Sequence, residues 1–398
     1  MKILSHISSK EDYDFIQKFK CSFEKNNIEC RYLATNIETW IRLKAYSEDV
    51  SYVKNIKKSK GYENSFNVKV GYLRSSEDAG KTYYSYLKWL NDNYELERWE
   101  LLIIPSGRMI SHQAFTDFAK EHSIKTIYIG YGNFPGKTIL DSIGTDKKSS
   151  LYLNPEILDD PYVDEDEYLS WKRNYIAEKE KNVAIPQARD INLSFIGKRF
   201  LRTIVCKIDN IVGVAHDIDY CFRDLDIGKF LFSKKVELNF TKIQEITDSY
   251  AFFAMQLSTD TQMIQNYEHD VYHALNVAIE TAKKQNIKLM VKPHPAEVSI
   301  EIAKHLNQLE KSGAINLTNC NTISIIKGSK FVMVVNSTVG LEAKILNKKV
   351  IFFGETFFDH LDGKRVRSYL LHYLYNINYF SPESVSLLEF EKIKKRLF

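Results

Sequence analysis

At 398 residues, with 44% hydrophobic and 27% charged side chains, the chain has a soluble globular composition and is too long for one ordinary core, so two domains of roughly 150–200 residues are expected. The net charge of +4 is the small difference between 55 basic and 51 acidic side chains, which argues against a nucleic-acid binder. Five scattered cysteines without a CxxC pair argue against a disulfide framework or a cysteine zinc site, and no apolar run approaches a membrane span. The opening MKILSHISSKEDYDF lacks the apolar core of a signal peptide, so a cytoplasmic location is expected. In chain order, Lys2–Ile7 reads as a strand, 11–25 as an amphipathic helix, 28–33 as a strand and 38–46 as a helix. A helical period over 82–93, the buried strand 99–105, a helix over 111–122 and a strand over 124–129 continue the alternation of a doubly wound domain.

After 129 the chain is dense in Gly, Pro, Asp and Ser and reads as a long ordered loop, 130–152. An acidic run at 159–167 reads as a solvated face, and no EF-hand spacing supports a metal there. A charged helix over 168–181 follows, then a stretch to about 245 with no strong period. Beyond it come a strand at 250–257, a long helix at 260–285, a strand at 287–291, helices at 300–309 and 322–327, and strands at 331–335 and 350–353. The predicted organisation is an N-terminal Rossmann-like domain over 1–180, a C-terminal nucleotide-binding one over 181–382, and a closing helix over 383–398. Two such domains facing across a cleft make the fold class α/β, GT-B-like. Neither GxGxxG nor GxxxxGK[ST] occurs, which disfavours NAD enzymes and P-loop NTPases.

The stretch 287–354 organises the second half. Two near-continuous apolar runs end in Lys292-Pro293-His294-Pro295 and Asn336-Ser337-Thr338, which puts these polar residues at carboxyl ends of parallel strands, where open α/β sheets bind ligands. A helix over 338–347 would then offer its N-terminus to a phosphate.

These pieces resemble the bacterial capsule polysaccharide biosynthesis family, which includes the retaining Kdo transferases. FFAMQLSTDTQMI resembles its strand-Gln-x-x-x-Asp segment, VKPHP its Lys-x-His-Pro motif, and VVNSTVGLEAKILNKKVIFFG its Asn-Ser-Thr-x-Gly-x-Glu-Ala motif, while GNFPGKTILDSIGTDKKSSL resembles a loop of the first domain. Members often carry Glu just before the Gly-Asn-x-Pro motif, where this chain has Gly130 and Tyr131, and the ending Glu355-Thr356-Phe357-Phe358 also departs from the family. The resemblance implies transfer of Kdo, or a related acidic sugar, from a CMP-activated donor to a glycan or glycolipid acceptor, with no cofactor and no metal. The basic tail KIKKRLF at 392–398 offers a peripheral contact with anionic lipid at the inner membrane or with a polysaccharide assembly complex, although as a closing helix of the fold it needs neither.

On that reading Asp260 is the carboxylate nucleophile beneath the anomeric carbon, and a helix N-cap is its structural alternative. His294 donates to the donor phosphate, Lys292 neutralises charge, and Asn336, Ser337, Thr338 and Gly340 form the phosphate seat, although capping and close packing explain the last three as well. Glu342 holds the ribose hydroxyls or is a first-turn acid favoured by the dipole. Gln256 orients the sugar. Asn133 and Asp141 touch the acceptor or simply shape turns. A CDP-polyol phosphotransferase and a non-catalytic subunit of an assembly complex are the competing functions.

Overall fold

The computed structural model describes residues 1–181, 193–223, 237–240, 249–297 and 299–398. It divides into two compact units interleaved in the chain. The first takes Met1–Asn154, the described part of Ile191–Leu225, and Tyr373–Phe398; the second takes Pro155–Asp190 and Asp226–His372 where described. This differs from the simple division at 180/181, a position beside a stretch outside the described residues. Part of the weakly patterned stretch up to 245 also lies there, while its described part holds the helix Leu193–Val212.

The first unit is built on six strands: β1 (Lys2–Ile7), β2 (Glu29–Ala34), β3 (Val50–Tyr52), β4 (Leu101–Pro105), β5 (Lys125–Tyr131) and β6 (Thr138–Asp141). Their order is β3-β2-β1-β4-β5-β6, parallel except for β6, which runs antiparallel to β5. Pleating explains the unbroken hydrophobicity of β1. Ile3 and Ile7 join a cluster with Phe15, Phe19 and Phe390, while Leu4 joins another with Tyr86, Trp99 and Phe115. The expected helix over 11–25 is two, Lys10–Gln17 and Lys20–Lys25, because Lys18 and Phe19 tighten to bonds with Phe15 and Ile16 three residues back.

The Gly- and Pro-rich stretch is not one long loop. GNFPGK turns the chain from β5 into β6, and a Cβ on Gly132 would lie 2.2 Å from the Lys137 carbonyl oxygen, so only glycine fits. The C-terminal segment returns to this hairpin, with Tyr375 exchanging backbone hydrogen bonds of 2.9 and 3.0 Å with Thr138. Its helix, Leu387–Leu397, buries Phe390, Ile393 and Leu397 in the first unit. The closing helix is therefore part of the N-terminal core.

The second unit holds β7 (Tyr250–Ala254), β8 (Lys288–Lys292), β9 (Asn316–Leu317), β10 (Phe331–Val334) and β11 (Lys349–Phe352), ordered β11-β10-β7-β8-β9 and all parallel. Clusters around Phe253, Met333 and Leu275 on one face and Phe252, Val332 and Ile326 on the other bury it on both sides. The expected helix over 260–285 is divided. Thr261–Asn266 ends at Tyr267, whose φ of −144° is extended, and Asp270 caps a fresh helix, Val271–Lys284, by accepting from the His273 N–H at 2.8 Å. No helix among the described residues is long and apolar enough to cross a membrane.

Candidate active site at the carboxyl ends of β7, β8 and β10

Two neighbouring strands of the second unit are tied at their carboxyl ends by side chains. The Gln256 amide N–H donates to Asn336 Oδ1 at 2.7 Å, and the Asn336 backbone N–H donates to Gln256 Oε1 at 2.8 Å. Both residues are buried, so this reciprocal pair satisfies amides that would otherwise be costly, at about 1–3 kcal/mol per unpaired group. Asn336 also donates to the Gln262 carbonyl at 3.2 Å. The pair fixes where the next residues on each strand emerge.

Asp260 emerges from the β7 side. Its Oδ1 accepts from the Gln262 N–H at 2.9 Å and its Oδ2 faces the Gln256 amide at 3.3 Å, so it caps its helix and is held in one orientation. His294 emerges from the β8 side, where its Nδ1 accepts from the Ala296 N–H at 3.1 Å. The neutral ring then carries its proton on Nε2. Burial lowers the His294 pKa, against the opposing fields of Asp260 and Glu297, so the ring is a neutral donor at pH 7. Glu297 braces this corner by accepting from the backbone N–H groups of Ser258 and Ser299, each at 2.9 Å. A cavity of about 540 Å³ adjoins this corner on the side of Ser258 and Ser299, lined by Met263, Tyr267, His269 and Tyr272, and none of Gln256, Asp260, His294 and Asn336 is among its lining residues.

The helix Thr338–Ile345 starts where β10 ends. Ser337 caps it, accepting from the Val339 N–H at 3.2 Å, and Thr338 is exposed beside that cap. Gly340 is set by packing: a Cβ there would lie 2.5 Å from Phe352 and 2.9 Å from Val334. Glu342 is buried, and its Oε1 accepts from the Tyr175 hydroxyl at 2.7 Å and the Lys179 ammonium at 2.9 Å. The expected ribose contact thus meets a carboxylate already engaged inside the unit. Lys292 donates to the Cys320 carbonyl and the Thr322 hydroxyl, both at 2.8 Å, and burial lowers its pKa while Cys320 and Glu342 raise it and Lys179 lowers it. Lys292, Lys179 and Glu342 therefore form one charge cluster with two cations and one anion.

Asn133 and Asp141 lie in the first unit, in the β5–β6 hairpin and at the end of β6. Asp141 is fully buried and accepts from the backbone N–H groups of Ile143, Gly144 and Ser150, the Ser150 hydroxyl, and the Tyr373 hydroxyl at 2.7 Å. Its carboxylate organises the turn that follows, with both oxygens accepting these bonds. Asn133 is half-buried in the turn. Tyr175, Lys179 and Glu297 are the contributors that motif reading passed over. The first two stand four apart on the helix Glu165–Glu180, so they share one face, the only signal the sequence offered for them.

Two doubly wound α/β units, the second carrying polar residues at the ends of its central parallel strands, define a GT-B-like α/β protein. Residues 232–362 match the model of a family described as capsule polysaccharide biosynthesis protein, the same family that the motifs of the second unit resemble. No curated protein matches the chain. Among solved structures it is similar to Thermosulfurimonas dismutans KpsC, beta Kdo 2,4 transferase, at 11% identity over 97% of this chain and 96% of that one with a TM-score of 0.46. It is also similar to the beta Kdo 2,7 transferase of the same organism's KpsC, at 12% identity over 99% and 100% with a TM-score of 0.46. A third likeness is to Methanocaldococcus jannaschii UDP-GlcNAc 2-epimerase in complex with UDP-GlcNAc and UDP, at 11% identity over 99% of each chain with a TM-score of 0.30.

Proposed function

We propose that this chain is a glycosyltransferase of capsule or related polysaccharide synthesis that takes Kdo, or a related acidic sugar, from a CMP-activated donor. The observation that carries the reading is that the Gln256–Asn336 lock orients the Asp260 carboxylate beyond β7, while His294, a neutral N–H donor, stands at the end of the adjoining β8. The nucleotide phosphate is received by His294 Nε2 and the start of the helix Thr338–Ile345, with Lys292 and Lys179 supplying the field that favours an anion.

Chemistry follows in two displacements, which retain configuration. Asp260 forms a bond to the anomeric carbon as the bond from that carbon to the phosphate oxygen breaks, and CMP leaves with the electron pair. The acceptor hydroxyl then attacks the same carbon, the Asp260 ester breaks, and the hydroxyl proton passes to water. The acceptor is a glycan or glycolipid. Incubation with CMP-Kdo and CMP-sialic acid tests the reading: release of CMP from one of them supports it, and no release from either with no binding of CMP overturns it. Turnover of CDP-glycerol with both ignored would replace it with phosphotransfer.

A further inference from the structure

A second polar cluster, sharing no residue with the candidate active site, lies inside the first unit. The strand order β3-β2-β1-β4-β5-β6 reverses between β1 and β4, and that switch point is where doubly wound sheets place functional groups. His6 stands near the carboxyl end of β1, and Ser111 and His112 stand in the first turn of the helix Ile110–Glu121 that follows β4. Asp217 reaches them from the chain after the helix Leu193–Val212. All four are buried.

Their contacts leave a gap in the hydrogen-bond accounts. His6 Nε2 meets the Ser111 hydroxyl at 2.8 Å, which in turn donates to Asp217 Oδ2 at 2.5 Å, while the Ser111 N–H donates to Asp217 Oδ1 at 2.9 Å. Among the described residues neither nitrogen of His112 has a hydrogen-bond partner, nor does Nδ1 of His6, although the two rings stand edge to face at 4.4 Å. A neutral imidazole brings one donor and one acceptor, and burying both unmet is unfavourable. One ligand atom from each of His6, His112 and Asp217 can lie within 4.8 Å of the other two.

We propose that His6, His112 and Asp217 bind one divalent transition-metal ion of the zinc class. Two imidazoles and a carboxylate are a donor set that suits this ion, whose tetrahedral bonds of about 2.0–2.2 Å need ligand atoms roughly 3.4 Å apart, a modest contraction of the cluster. Ser111 acts behind the ligands, orienting the Asp217 carboxylate through two hydrogen bonds. Asn67 does the same for the backbone, donating to the Asp217 carbonyl at 2.7 Å and accepting from the Ile110 N–H at 2.8 Å. The ion ties residues more than a hundred positions apart into the switch point, and its role is to hold the first unit together.

The test uses the full chain, stripped of metal and then titrated separately with zinc and cobalt(II) salts. One zinc retained per chain after dialysis, a tetrahedral cobalt absorption without a thiolate charge-transfer band, and a raised thermal midpoint with zinc are expected. His112→Asn should lower retained zinc at least tenfold. Cys206→Ser with Cys221→Ser, which removes the other group of metal-capable side chains among the described residues, should leave zinc retention unchanged. If His112→Asn does not fold, the cobalt spectrum of the unaltered chain decides the question. No retained metal with no tetrahedral cobalt band overturns the proposal, and so does metal lost in the double cysteine variant but kept in His112→Asn.

Discussion

Asp260 has two roles that share one geometry. A carboxylate that caps a helix must face the first free N–H groups, and the same hold, reinforced by Gln256, fixes the direction in which its other lone pairs point. Asp260→Asn keeps the cap and removes the nucleophile, so turnover is expected to fall about a thousandfold or more while CMP binding changes little, a contrast that steady-state kinetics and calorimetry separate. His294 makes a sharper local prediction. Its folded pKa is depressed, so between that value and 6.5 the unfolded chain holds the extra proton, and the contribution of His294 to stability is full above 6.5 and lost as pH falls through the folded value. An NMR titration of the ring should give a midpoint below 6.5, and Asp260→Asn, by removing a charge that raises it, should lower the midpoint further. An unchanged midpoint would deny the two residues their proximity.

At the scale of elements, the second unit depends on how closely one helix approaches the sheet. Gly340→Ala would force a methyl against Phe352 and Val334, so the helix Thr338–Ile345 must move, with an expected loss of about 1–3 kcal/mol in urea unfolding. Glu342 links that helix to Glu165–Glu180 through Tyr175 and Lys179, and Glu342→Ala should cost about 1–3 kcal/mol because the buried Tyr175 hydroxyl loses its acceptor. Much of this was legible in advance: β1 was placed to the residue, and the β8 and β10 ends were read from where apolar runs stop. Periodicity could not show that Tyr267 is extended, since its stripe of Met263, Tyr267 and Val271 fits a continuous helix equally well. The Asp270 cap was the local clue to the break. The partners of Glu342 were not legible for a physical reason too, because nothing in NSTVGLEAK reveals that a helix some 160 residues earlier in the chain supplies a tyrosine and a lysine to its carboxylate.

At the scale of the molecule, the chain is woven so that its last segment completes its first unit. A sequence read from left to right assigns residues near each other to one core, and long returns such as the Thr138–Tyr375 bridge leave no periodic trace. Removal of residues 373–398 should therefore weaken the first unit, uncovering the surfaces packed against Phe390 and Ile393 and opening the Asp141–Tyr373 contact, while the parallel sheet of the second unit keeps its hydrogen-exchange protection. Equal loss of protection in both units would contradict that division. The most direct measurement of the chemistry is mass spectrometry of the protein quenched in acid after mixing with CMP-Kdo and no acceptor. The account predicts one sugar residue on the peptide that contains Asp260, absent in Asp260→Asn. CMP release with undiminished turnover in Asp260→Asn, and with no adduct on that peptide, would contradict it.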